Sequence, residues 1–134
     1  MASIHKSITI DAPAARVWDA MRDVGALHTR LVVGFVTDCK LDAGAREVTF
    51  ANGMKVREVI IDVDDQRHRV VWSATGGKLA HHNASAQVLA LTDRTCEVRW
   101  IADLLPDEMA PGMAAMIDQG LAAMKRTLES ASLS

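Results

Sequence analysis

With 134 residues, 49% of them hydrophobic and 24% charged, the chain has the makeup of one globular domain that buries roughly two-thirds of the surface it exposes unfolded. Disorder and coiled coil are excluded by that balance. A net charge of −2, with basic residues scattered among acidic ones, offers no electrostatic footprint for nucleic acid or an anionic membrane, so neither partner is expected.

No apolar run approaches the ~20 residues of a membrane span, and Met1 to Lys6 lack a signal-peptide core, so stable membrane insertion is not expected and a cytoplasmic location is. Cys39 and Cys96 each lie in an alternating apolar stretch, which suits two reduced, packed thiols better than a disulfide framework; a bridge stays open.

Ser3 to Asp11 alternates, with Ile4, Ile8 and Ile10 on one side and Lys6 interrupting it, and is predicted as a half-buried strand. Asp11-Ala12-Pro13 carries a helix-start signal, an acid able to accept backbone N–H bonds before a proline tolerated in the first turn. Val17, Trp18, Met21 and Val24 give one apolar helical face that ends near Gly25, and residues 26–34 suggest a second short helix.

From Phe35 the apolar period becomes two, and turn residues recur at Asp42-Ala43-Gly44, Asn52-Gly53, Asp64-Asp65, Gly76-Gly77 and Thr92-Asp93. The predicted strands are 35–41, 45–51, 54–63, 67–75, 81–91 and 95–104, an antiparallel meander in which Asn52-Gly53 is expected to form a two-residue type I′ turn. In the last strand Cys96, Val98, Trp100, Ala102 and Leu104 share the dry face.

After Pro106, Asp107 is the expected N-cap of a long helix running to about Ser130. Its stripe is Met109, Met113, Met116, Ile117, Gly120, Leu121, Met124 and Leu128. Gly120 costs a helix about 1 kcal/mol relative to alanine, which implies close backbone packing or cavity space at that point. Residues from Ala131 to Ser134 are expected to fray. The class is α+β in one domain, residues 1–134, with no linker, repeat or low-complexity tract.

This order of strand, short helices, six-stranded meander and long helix resembles the helix-grip fold of the START/Bet v 1-like (SRPBCC) superfamily. Ile8-Thr9-Ile10-Asp11-Ala12-Pro13-Ala14-Ala15-Arg16-Val17-Trp18 is similar to the opening of its polyketide cyclase/dehydrase-like branch. Trp100-Ile101-Ala102-Asp103-Leu104-Leu105-Pro106, with Gly120-Leu121 in the helix that follows, is similar to the end of the same domains. The resemblance implies a curved antiparallel sheet of about seven strands wrapped around the C-terminal helix, with a cavity between them for apolar or aromatic molecules. Its members include carriers, cyclases and co-chaperone-like domains, so it leaves the activity open.

Candidate chemistry is sparse. His81 and His82 point to opposite faces of a strand, so at most one faces a cavity and the two cannot readily hold one metal; His82 is either an acid/base group or a histidine at a hairpin mouth. Asn83, Ser85 and Gln87 share one face of their strand and Ala84, Ala86 and Val88 the other. The amide face is read as the solvent side, with a role in orienting a ligand as the alternative.

Trp72 and Trp100 are read as core or cavity wall. The four methionines on the long helix are gap fillers or an adaptable pocket lining. Of Arg57 and Glu58, one could point inward, Glu58 then being a candidate base; a solvated strand with cross-strand ion pairs is the simpler reading.

No phosphate-binding loop, nucleophile elbow, metal-ligand spacing or dinucleotide fingerprint is present in the sequence, so no metal or cofactor is expected. The expectation is a binder of a hydrophobic, lipid-like or aromatic small molecule, with Trp72, Trp100, Met113, Ile117, Met124, His82, Asn83 and Glu58 as cavity candidates. The alternatives are a cyclase/dehydrase-like enzyme, and an interaction module or homodimer.

Overall fold

The computed structural model describes residues 1–131. Strand β1 (Ala2–Ile10) leads into helix α1 (Ala14–Arg22) and a π-helical turn, Leu27–Leu31. Six strands follow: β2 (Val36–Asp42), β3 (Ala45–Phe50), β4 (Lys55–Asp64), β5 (Arg69–Thr75), β6 (His81–Ala90) and β7 (Cys96–Leu105). A 3₁₀ turn, Asp107–Met109, then opens helix α2 (Ala110–Ala131). The second short helix expected at 26–34 is thus a five-residue turn. Of the segment expected to fray, Ala131 closes α2, and the rest, residues 132–134, lies outside the described residues.

The seven strands form one antiparallel sheet in the order β1-β7-β6-β5-β4-β3-β2, the helix-grip arrangement of START and Bet v 1-like domains. Register slips between Val36 and Asp38 on β2 and between Ile60 and Asp62 on β4 bend the sheet. The concave face carries the alternating apolar set, including Ile10, Val48, Val98 and Leu104, all at most 1% exposed. Cys39 and Cys96 are buried free thiols, and burial raises the pKa of both.

Two local expectations are corrected. Asn52-Gly53 is not a type I′ turn, because only Gly53 has positive φ (88°). The Phe50 carbonyl accepts from Gly53 N–H at 2.9 Å and Phe50 N–H donates to the Met54 carbonyl at 2.8 Å, which makes a three-residue loop. The type I′ signature instead falls at Ala43-Gly44, with φ of 46° and 81°, closing the Asp42–Ala45 pair.

Neither helix is capped by an acid side chain: Pro13 occupies the N-cap of α1, and Pro106 that of the 3₁₀ turn. Asp11 offers its backbone N–H to Glu129 at 2.9 Å, and Asp107 pairs with the N-terminal amine at 3.1 Å. Both acids join chain ends that sequence proximity does not reveal.

Helix α2 lies across the concave face. Lys6 on β1 meets Asp118 at 3.3 Å, and Lys125 Nζ donates to the Thr9 carbonyl at 2.9 Å, fixing one flank of the helix on β1. Helix α1 is tied to the β4–β5 hairpin: Trp18 Nε1 donates to Asp65 Oδ1 at 3.0 Å, Arg22 Nε donates to the same oxygen at 2.8 Å, and the Trp18 ring stacks on His68.

Candidate functional site

Between the sheet and α2 lies a cavity of about 370 Å³, within the range of small-molecule pockets. Six of the seven methionines line it: Met21, Met54, Met109, Met113, Met116 and Met124. The aromatic wall is two edge-to-face pairs. Trp72 meets Trp100 with centroids 5.6 Å apart at 67°, and Phe35 meets Phe50 at 5.4 Å and 75°. The exposed lining residues Met54, Lys55, Thr75, Gly76, Gly77 and Lys78 put the mouth between the β3–β4 and β5–β6 turns.

One row of the sheet carries the polar groups. Arg46 on β3 stands directly opposite Glu58 on β4, and Glu58 opposite Ala74 on β5. Arg46 Nε donates to Glu58 Oε1 at 2.8 Å, Nη1 donates to the Val24 carbonyl at 3.2 Å, and the guanidinium lies 5.5 Å from the Trp72 ring centroid. Their side chains are 4% and 11% exposed, so the pair is buried. Arg57, by contrast, is exposed and reaches Asp42 at 3.2 Å. Glu58 therefore faces in, and the simpler reading of two solvated charges gives way to parity: Val56 and Glu58 both line the cavity.

The row ends at His82. Pairing of β5 with β6 stops at Trp72–Ala84, although β5 stays paired with β4 to Thr75 and β6 with β7 to His81. The gap is bridged by side chains: Ser73 Oγ donates to the His82 carbonyl, and Ala74 N–H donates to His82 Nδ1 at 2.9 Å. Burial first, and the neighbouring His81 second, push the His82 pKa below its ordinary value. The ring is therefore neutral at pH 7.

Among the described residues, His28 Nδ1 is the one side-chain N or O sealed from solvent without a partner. Among the same residues His82 Nε2 has no protein partner either, and it keeps accessible surface on a side chain that lines the cavity.

Trp72, Trp100, Met113, Met124, His82 and Glu58 are brought together around this space. Ile117 and Asn83 are not among the lining residues. Along α2, at about 100° per residue, Met113, Met116 and Met124 share the cavity side, and Met109 lines the cavity from the 3₁₀ turn that precedes the helix. Ile117 is turned toward the flank held on β1, and is fully buried there. Asn83 alternates with inward His82 and Ala84, so it sits half-buried on the outer face.

Arg46 was not among the candidates from sequence, although its spacing with Val48 and Phe50 puts all three on one face of β3. Gly120 resolves as a close approach. A Cβ there would come within 2.8 Å of Trp100 Cζ3 and 3.3 Å of Phe35 Cε2.

An antiparallel sheet gripping a C-terminal helix, with an apolar cavity between them, defines the START/Bet v 1-like class. Within it, the chain belongs to the polyketide cyclase / dehydrase and lipid transport family, whose model matches residues 1–129. No curated protein matches the sequence.

Among solved structures, an uncharacterised protein from Bacillus thuringiensis aligns with TM-score 0.85 at 18% identity, covering 95% of this chain and 98% of that one. Norcoclaurine synthase from Thalictrum flavum aligns with TM-score 0.74 at 19% identity, covering 99% and 94%. A START superfamily protein from Mycobacterium smegmatis aligns with TM-score 0.74 at 11% identity, covering 98% and 99%. At such identities the likeness speaks to the fold alone. Family and fold support a hydrophobic ligand-binding role. No helix among the described residues is long and apolar enough to cross a membrane.

Proposed function

We propose that the chain is a small-molecule binding protein whose cavity takes up one apolar, aromatic or lipid-like ligand. The observation that carries this reading is the lining: thioethers and two aromatic pairs around about 370 Å³, with the buried polar groups confined to a single row and Lys55, Thr75 and Lys78 at the mouth. Unbranched methionine side chains repack around different shapes at small energetic cost, which suits a binder of a ligand class.

Turnover of the cyclase/dehydrase kind would need a group free to move a proton. Glu58 is bound to Arg46, and the basic nitrogen of neutral His82 is occupied by Ala74 N–H. Both observations favour binding over catalysis.

The test is native mass spectrometry of protein purified from its own source, with organic extraction of anything retained. Titration with a panel of hydrophobic aromatics and lipids accompanies it. The expected result is a stoichiometric apolar compound or saturable binding of a panel member; an empty protein that binds nothing in the panel would sink the proposal.

A further inference from the structure

We infer that the ligand is an uncharged apolar molecule carrying a hydrogen-bond-accepting oxygen of the carbonyl type, received by His82 Nε2–H; this rests on the binding function proposed above. The argument begins at the seam between β5 and β6. Ala74 N–H points at His82 Nδ1 from 2.9 Å, so Nδ1 is an acceptor and the proton of the neutral ring sits on Nε2. That N–H has no protein partner among the described residues and keeps accessible surface on a side chain that lines the cavity, which places it within reach of a ligand there. His82 is thus a fixed donor, and an apolar ligand presenting only hydrogen or carbon would leave it unpaired, which is unfavourable in a closed site.

The charge on the ligand follows from the remaining polar groups. The Arg46 guanidinium is matched by Glu58 at 2.8 Å and capped by the Trp72 ring, so the inner row carries no net charge once His82 is neutral. A carboxylate brought there would lose its hydration without gaining an unpaired cation. Lys55 and Lys78 line the cavity but are exposed at its mouth, where water already solvates them. A neutral carbonyl loses far less on entry, and one donor satisfies it.

Three probes with one skeleton separate the possibilities: 2-ethylnaphthalene, 2-acetylnaphthalene and 2-naphthoate, titrated calorimetrically into the wild-type protein, His82→Leu and His82→Gln. The readout is the preference for acetyl over ethyl in the wild type divided by that in His82→Leu, so the probes' different hydration cancels. The expected value is roughly five- to tenfold, the worth of one neutral hydrogen bond. His82→Gln keeps an N–H donor near the position of Nε2 and restores part of the preference.

A ratio near one, with ethylnaphthalene still bound, overturns this inference and leaves the binding function standing. Naphthoate binding tightest overturns it too, by placing an anion at the lysines or Arg46. If no probe binds any variant and extraction yields nothing, the binding function itself fails and takes this inference with it.

Discussion

Arg46 and Glu58 face each other across β3 and β4, Nε to Oε1 at 2.8 Å, inside an otherwise apolar wall. Two charges in such a place hold one another: their mutual attraction and the Val24 carbonyl offset a desolvation penalty that neither partner survives alone. Removing one leaves the other buried and unmatched.

Glu58→Leu is therefore expected to destabilise the fold by about 3–5 kcal/mol, whereas Arg46→Met combined with Glu58→Leu costs much less than either single change. Urea denaturation of the two singles and the double measures this. A loss in the double variant equal to the sum of the two single losses would mean that the two side chains act independently.

His82 makes stability depend on pH in a defined direction. Its pKa in the folded chain lies below the ordinary 6.5, chiefly through burial, so the unfolded chain takes up the proton first as pH falls. The contribution is fully present above about pH 6.5 and is lost as pH drops from there through the folded value. Protonation also adds a hydrogen to Nδ1, which ends the bond from Ala74 N–H.

The melting temperature is expected to fall between pH 7 and pH 5, and His82→Gln to flatten that slope. Asp64, Asp65 and Glu129 have pKa values lowered by their arginine and lysine partners and lose their stabilisation at more acid pH, outside this window. An unchanged slope in His82→Gln would assign the loss to other groups.

Much of this architecture was legible in the sequence because alternation reports which face is dry. Cys96, Val98, Ala102 and Leu104 are buried where period two puts them, and Ala84 and Ala86 turn inward opposite Asn83. The same rule placed Arg46 beside Val48 and Phe50, yet a charge on an apolar face is visible as a site only when its partner is known, and Glu58 is twelve residues away on the next strand.

The seam at His82 was out of reach for another reason. It depends on where β5 stops pairing with β6, which is a property of two strands in register and of neither one alone. Ile117 looked equivalent to Met113 in a single apolar stripe. The contacts of Lys6 and Lys125 set the rotation of α2 and divide that stripe into a cavity side and a β1 side.

Gly120 tests the close approach of helix to sheet. Replacing glycine by alanine inside a helix ordinarily gains about 1 kcal/mol. Here the added methyl would sit 2.8 Å from Trp100 Cζ3 and 3.2 Å from Cη2, so the indole must move out of its edge-to-face contact with Trp72. Overpacking of this kind costs about 1–3 kcal/mol, which outweighs the propensity gain. Gly120→Ala is expected to lower the melting temperature, and Trp100→Leu added to it to give back the helix-propensity gain relative to Trp100→Leu alone. A more stable Gly120→Ala single variant would mean that the ring yields freely.

Ala74 offers the most direct test of whether the space is a working cavity. It lines the wall between Glu58, its partner on β4, and His82, which its backbone N–H holds. A leucine at this position projects three further carbons into the cavity while leaving the backbone bonds of β5 in place. In a packed core such an insertion costs about 1–3 kcal/mol through strain. In an unfilled apolar space it instead recovers dispersion contacts that the lining lacks, so stability holds or rises. Ala74→Leu is accordingly expected to keep or raise the urea midpoint and to weaken binding of an apolar probe at least tenfold, because probe and leucine compete for one volume. Loss of stability with probe binding intact would place the ligand elsewhere and identify the wall at Ala74 as ordinary core.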